Sequence, residues 1–251
     1  MKKRIFQFLK TPEYRGKDSG ESAEEMNFLI YQMGKVGSKT IYHTLLDSKF
    51  VSYHTHSHAE ARRIISNAEC KLVVITGFRE PLARTISAFF HNIDNQQSHW
   101  FLGDKADVLN LSTSELIDAF NQKMIPHLES VVNPWFENFL ESVGVDRTQL
   151  RDNDWGFTAA SKKLEIFGYK LERFDDFGAA FFNYFPEMEI QDGFKKRNIG
   201  SEKWYASIYR NFVASYKIDE ESYDRIFKDT SYSNNVYSRS EIKRYASKFL
   251  L

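Results

Sequence analysis

Hydrophobic and polar positions along the chain follow two rhythms in turn. Three compact apolar runs, at residues 27–33, 50–54 and 71–77, have the leucine, β-branched and aromatic content of buried strands. Each is followed by a stretch with helical spacing, over about 38–48, 58–68 and 81–92. Strand and crossover helix in alternation predict an α/β domain with a central parallel sheet and helices on both faces. Pro81 falls in the first turn of the third helix, where its missing N–H costs nothing. The polar stretch from Asn92 to Asp107 reads as an irregular insertion. Helical spacing returns over Ser112–Met124, with Ser112 or Thr113 as cap, and over Pro134–Val143. Residues 164–167 and 169–174 read as short strands folded into a hairpin at Gly168. A helix over 177–185 follows, stopping before Pro186. From Ser201 onward the pattern is mostly helical, with a turn at 230–235. The first ten residues suit a short amphipathic helix. The polar stretch after them, with Pro12, Gly16 and Gly20, reads as an arm or linker, so 1–25 precede a single domain over 26–251.

Charge and composition narrow the possible functions. Lysine plus arginine number 34 and aspartate plus glutamate 34, so no global field favours nucleic acid, and basic character must be local to a site. Aromatic residues make up 16%, with 22 Phe and 13 Tyr. A Phe-rich core explains that content; a surface that stacks on sugar or adenine is the alternative. Cys70 is the single cysteine, which excludes an internal disulfide and a cysteine metal cluster. It reads as an inert, partly buried side chain. No apolar run reaches the ~20 residues that span a bilayer, and the basic start lacks the apolar segment of a signal peptide. The expected location is cytoplasmic, with no membrane span.

Two strand-to-helix junctions carry the chemistry. The first strand empties into Gly34-Lys35-Val36-Gly37-Ser38-Lys39-Thr40. Backbone N–H groups at a helix N-terminus converge on an anion, and a lysine in such a loop adds charge. Aligning Lys39-Thr40 with the end of a Walker A loop demands glycine at 33 and 38, where Met33 and Ser38 stand. The loop is phosphate-binding in style without being a Walker A. At the second junction, Arg79-Glu80-Pro81 follows the third strand and Ser87 lies two helical turns on. An arginine fork and a hydroxyl at the carboxyl end of a strand suit a phosphomonoester. Arg84, between them, reads as a surface residue.

Together these segments resemble the sulfotransferases that use 3'-phosphoadenosine 5'-phosphosulfate (PAPS). Gln32, Lys35, Gly37, Ser38 and Thr40 fill that family's 5'-phosphosulfate loop, while Val36 and Lys39 depart from it. Arg79, Glu80, Pro81, Ser87 and Phe89 fill its 3'-phosphate motif, and Arg173-Phe174-Asp175-Asp176-Phe177 is similar to a later strand end. The resemblance implies a P-loop-like, sulfotransferase-like fold and no metal. It makes Lys35 catalytic, with Gly34 through Thr40 around the 5' group and Arg79 and Ser87 on the 3'-phosphate. It also implies a late basic loop over the nucleotide, matched here by Arg197, Asn198, Gly200 and Ser201; without it, Ser201 reads as the N-cap of a helix into which Trp204 packs. Lys203-Trp204-Tyr205 resembles part of a hallmark run in capsular polysaccharide synthesis proteins, with its flanking positions changed.

His54, His56 and His58 alternate, so in an extended segment they share one face. Either His54 or His56 is the candidate base for an acceptor hydroxyl, since imidazole titrates in the useful range. A three-histidine metal site has no carboxylate or cysteine to complete it. The implied reaction moves a sulfuryl group from PAPS to a hydroxyl of a capsular or extracellular polysaccharide or other glycan, releasing adenosine 3',5'-bisphosphate. A P-loop small-molecule kinase and a non-catalytic nucleotide- or glycan-binding module stand as alternatives.

Overall fold

The computed structural model describes residues 26–48, 50–130, 134–161, 163–188, 193–194, 202–227 and 233–251. The alternation expected at the start is present. β1 (Asn27–Tyr31), α1 (Ser38–Asp47), β2 (Ser52–Thr55), α2 (His58–Ser66), β3 (Leu72–Phe78) and α3 (Pro81–Asn92) follow one another. Then come α4 (Lys105–Leu109), α5 (Thr113–Lys123), α6 (Ile125–Ser130), α7 (Trp135–Val143), β4 (Arg151–Asn153), β5 (Gly156–Ala160) and β6 (Leu164–Lys170). The chain ends with α8 (Phe174–Tyr184), α9 (Ala206–Ser215), α10 (Glu220–Phe227), α11 (Ser233–Val236) and α12 (Arg239–Ala246). Ser112 caps α5 as its sequence indicated, through a reciprocal capping box with Glu115. The stretch read as irregular, 92–107, contains the start of α4, capped in the same way by Asp104 and Asp107.

The six strands form one mixed sheet in the order β2-β1-β3-β6-β5-β4. The first four are parallel, whereas β5 pairs antiparallel with β6 and β4 antiparallel with β5. The expectation of a parallel sheet therefore holds for its centre and fails at one edge. There the two-residue turn Asp154–Trp155 joins β4 to β5, a link too short for a parallel crossover. The hairpin expected at Gly168 is also absent, because β6 runs straight through that residue. A Cβ at Gly168 would stand 2.2 Å from the Phe157 ring on β5. The glycine marks a close approach between strands, and a turn is not needed to explain it.

Strand side chains alternate between two cores. Leu29, Tyr31, Val74, Phe78 and Ile166 face α2 and α7 through Ile64, Phe136 and Phe139. Phe28, Ile30, Val73, Ile75 and Phe167 face α1 and α8 through Ile41, Leu45, Phe177 and Phe181. A third cluster lies between helices: Leu82, Ile86, Phe89 and Phe90 of α3 meet Phe120, Phe212 and Tyr223 of α5, α9 and α10. Most of the aromatic content is thus core, and each buried phenylalanine contributes roughly 1.5–3 kcal/mol. Among the described residues no helix is long and apolar enough to cross a membrane.

The topology locates the site. β1 leads to β2 on one side, and β2 returns past β1 to β3 on the other. With right-handed crossovers this reversal puts α1 and α2 on opposite faces, as observed. The chain therefore leaves β1 and β3 in diverging directions. The crevice at the carboxyl ends of those two strands is the switch point at which open α/β sheets bind ligands.

Candidate anion-binding site

The loop after β1 has an unusual backbone. Lys35 has φ 74° and Gly37 has φ 91°, both left-handed. Glycine adopts that conformation freely, but in lysine it costs about 1–2 kcal/mol. Gly37 is the N-cap residue of α1, and no side chain caps the helix. Its positive N-terminal end is thus left to a ligand or solvent. Ser38 and Thr40 are nearly buried in its first turn, whereas Lys39 is exposed. The side chain of Val36 is wholly buried in the core on the α2 side, so only its backbone is available to an anion.

The loop is held from below. Tyr169, fully buried on β6, donates its hydroxyl to Val36 O at 2.5 Å, and Gln32 Oε1 lies 3.2 Å from the same hydroxyl. Gly77 makes this possible, since a Cβ there would stand 2.5 Å from the Tyr169 ring. Gln32 fills the first position of the resembled motif, yet it is buried beneath the loop as support. Arg84 braces the loop from α3 by donating from Nε to Gly34 O at 3.3 Å. It is half-buried, so the reading of Arg84 as a surface residue is corrected.

The charges that bear most on Lys35 are positive. Burial, then Lys203, Lys39, Arg79 and Arg84, push its ammonium down from 10.5 to about 8. Among the described residues, Lys35, Lys39 and Arg79 have no carboxylate partner. On the helix α3, Arg84, Ser87 and His91 follow the three- and four-residue spacing of one face, the face left open by the buried Ile86, Phe89 and Phe90. His91 is lowered first by burial and then by Lys35, Lys203 and Lys39. Ser87 therefore lies between a residue bonded to the loop and one that feels its lysine.

The carboxylate nearest in sequence to these cations points inward. Glu80 is buried and caps α3, accepting from Leu82 N at 2.9 Å and Ala83 N at 2.7 Å. Tyr223 donates to it at 2.7 Å, and desolvation raises its pKa. Its own N–H donates to Glu172 at 2.8 Å, which also accepts from Tyr237 at 2.8 Å. The C-terminal segments thereby fix the turn that carries the half-buried Arg79. Downstream, Arg173 pairs with Asp176 at 2.6 Å as α8 begins.

The histidines divide. His58 opens α2, bonds the Tyr31 hydroxyl through Nδ1 and packs near Trp135, on the face opposite α1. The shared face expected for three imidazoles fails because the strand stops at Thr55. His54 and His56 remain together, ring centres 4.8 Å apart. His54 lies near Tyr42 of α1, its Nε2 buried without a partner among the described residues. Burial first, then His56, Lys39 and His43, lower it to about 4, so it is neutral at physiological pH. His56 Nδ1 is 2.5 Å from Gln32 O. A carbonyl only accepts, so Nδ1 carries a proton, and in the neutral ring Nε2 is the nitrogen with the lone pair.

The crevice thus gathers Lys35, Lys39, Arg79 and Arg84, flanked by the His54–His56 pair and by the Ser87–His91 face. Arg197, Asn198, Gly200 and Ser201 lie outside the described residues. Sequence reasoning missed His91 and Tyr169 as neighbours of the loop. The spacing of Arg84, Ser87 and His91 on one helix was a usable signal; nothing local announced Tyr169. Among the described residues no three His, Cys, Asp or Glu side chains form a group able to hold a metal. No family model, curated protein or solved structure matches the chain.

Proposed function

We propose that the protein is a sulfotransferase that moves a sulfuryl group from PAPS to a hydroxyl of a capsular or extracellular polysaccharide or another glycan. The observation that carries this reading is Lys35: a half-buried ammonium in a left-handed loop residue, at an uncapped helix start, crowded by four other cations. Such a donor set fits a polyanion, because bound negative charge relieves that crowding. PAPS, when bound, supplies an activated sulfur–oxygen bond. Ser38, Thr40 and the α1 amides hold its 5' group, while Arg79 and Ser87 hold its 3'-phosphate. Lys35 stabilises charge on the bridging oxygen as the bond from that oxygen to sulfur breaks. His56 Nε2, or His54, takes the proton of the acceptor hydroxyl as its oxygen bonds to sulfur. A kinase of the P-loop type calls for carboxylates that hold magnesium; the charges that bear most on Lys35 are cations.

Calorimetry with adenosine 3',5'-bisphosphate, AMP and ATP tests the reading. The bisphosphate should bind at least tenfold more tightly than AMP, the worth of a charge-assisted contact to a second phosphate. Equal affinity for the bisphosphate and AMP, or a preference for ATP with magnesium, would overturn it.

A further inference from the structure

The backbone on both sides of Arg79 is held by one strand and its continuation. Phe78, the residue before it, pairs with Lys170 at the end of β6. The peptide after it donates through Glu80 N to Glu172 Oε1 at 2.8 Å, two residues beyond Lys170. Both anchors are tied in turn to the start of α12. The buried Lys170 ammonium pairs with Glu241 Oε1 at 2.7 Å. Tyr237, just before the Ser238 cap of that helix, donates its hydroxyl to Glu172 Oε2 at 2.8 Å. The segment after α12 is secured as well, with Ile218 N donating to Phe249 O at 2.8 Å and Leu251 N to Ile218 O at 3.1 Å. One oxygen of Glu172 thus accepts from the Arg79 turn and the other from the C-terminal segment.

We propose that Glu172 is the positioning residue for Arg79 and, through it, sets how well the site tells a nucleotide with a second phosphate from one without. That the group Arg79 holds is the donor's 3'-phosphate rests on the sulfotransferase reading. Glu172 acts by fixing the plane of the peptide that follows Arg79, and so the direction in which the arginine side chain leaves the backbone. A guanidinium fork bonds a phosphate well only at a defined distance and angle. The Glu80 side chain holds the same turn from within as the cap of α3, so the peptide is gripped from two directions. On a free turn the arginine would lose part of its gain to ordering.

The test is a double-mutant cycle on the full chain, read by calorimetry with adenosine 3',5'-bisphosphate and AMP. Glu172→Ala should weaken the bisphosphate about fivefold or more and leave AMP within about twofold. Glu172→Gln keeps an acceptor for Glu80 N and should restore the bisphosphate to within about twofold of the native protein. Added to Arg79→Ala, Glu172→Ala should cost nothing further, because its effect passes through the arginine. Tyr237→Phe removes only a hydroxyl and should shift the same preference in the same direction by a smaller factor, which serves if Glu172→Ala does not fold. A Glu172→Ala protein that is less stable in urea yet keeps the native preference shows a purely structural role and overturns the proposal. Equal losses for both nucleotides, or losses that add to those of Arg79→Ala, overturn it too. Should the native protein bind the bisphosphate no better than AMP, the sulfotransferase reading falls, and the same cycle is read with inorganic pyrophosphate. Non-additive losses there sustain Glu172 as the positioning residue; an affinity that neither substitution changes, or additive losses, overturns it.

Discussion

The two strand-to-helix junctions that border the crevice solve one problem in opposite ways. Every helix start exposes backbone N–H groups that need acceptors. At β3–α3 the protein supplies them: Glu80 receives two amides and the Tyr223 hydroxyl, Pro81 removes a donor, and the carboxylate is sealed from solvent. At β1–α1 it withholds them, with Gly37 at the N-cap position, no capping side chain, and Lys35 in a conformation that lysine rarely adopts. Tyr169 and Arg84 hold this second junction through Val36 O and Gly34 O, and Gly37 O accepts from Thr40 N. The difference teaches where the protein's own negative charge has been placed. Among the described residues it fills the structural junction, and no carboxylate pairs with Lys35 or Lys39 at the other.

The largest effect should come from the open junction. Lys35→Ala should lower sulfuryl transfer by about 10²–10³-fold, as for loss of one transition-state donor, with a smaller loss of nucleotide affinity. Steady-state kinetics beside calorimetry read both quantities. Activity that survives Lys35→Ala and dies on Lys39→Ala would move the catalytic role to the exposed lysine of α1.

At the closed junction the change should be in stability. Glu80→Ala removes a cap and should cost about 2 kcal/mol in urea unfolding, while Lys39→Ala in the first turn of α1 should stay within about 0.5 kcal/mol. If the two variants are equally stable, the contrast between the junctions is wrong. Arg79→Ala tests whether the closed junction also serves the ligand. It should weaken adenosine 3',5'-bisphosphate about tenfold and leave AMP nearly unchanged. A uniform loss for both nucleotides would assign Arg79 to the shared 5' group.

The most diagnostic effect is a pH trend. Lys35 titrates at about 8 in the fold against 10.5 in the unfolded chain. Between those values the unfolded chain binds more protons, so stability of the free protein should rise with pH across the window. Below about 8 both states are protonated and the trend vanishes. Anion binding should fall over the same window as the ammonium is lost. Lys35→Met should flatten both trends in urea midpoints and calorimetry from pH 7.5 to 10. A native protein already flat there would mean that the loop lysine is not crowded as the structure shows.

The sequence exposed both junctions because their determinants act within a few residues. Apolar runs mark β1 and β3, Pro81 marks the first turn of α3, and the glycines and Lys35 mark the loop between. Ser112 was legible as a cap for the same reason. Gly168 was misread because a bare Cα looks alike whether it serves a turn or makes room for the Phe157 ring, and only pairing across β5 and β6 distinguishes them. The histidine triad was misread because a period-two pattern shares a face only while the strand lasts, and β2 ends at Thr55.

What tertiary structure alone decided is which of these residues meet. The order β2-β1-β3 puts the reversal of direction between the two junctions, so that one crevice serves both. Tyr169 reaches under the loop because β6 pairs with β3 in a register that sets it beside Gly77. The turn that carries Lys203 comes to α3 because that helix packs against α9 through a cluster of aromatic rings. Local spacing and capping follow from bonds and dihedrals a few residues long, and the chain displays them directly. Convergence follows from burial of apolar faces by segments distant in sequence, and no short stretch of the chain contains it.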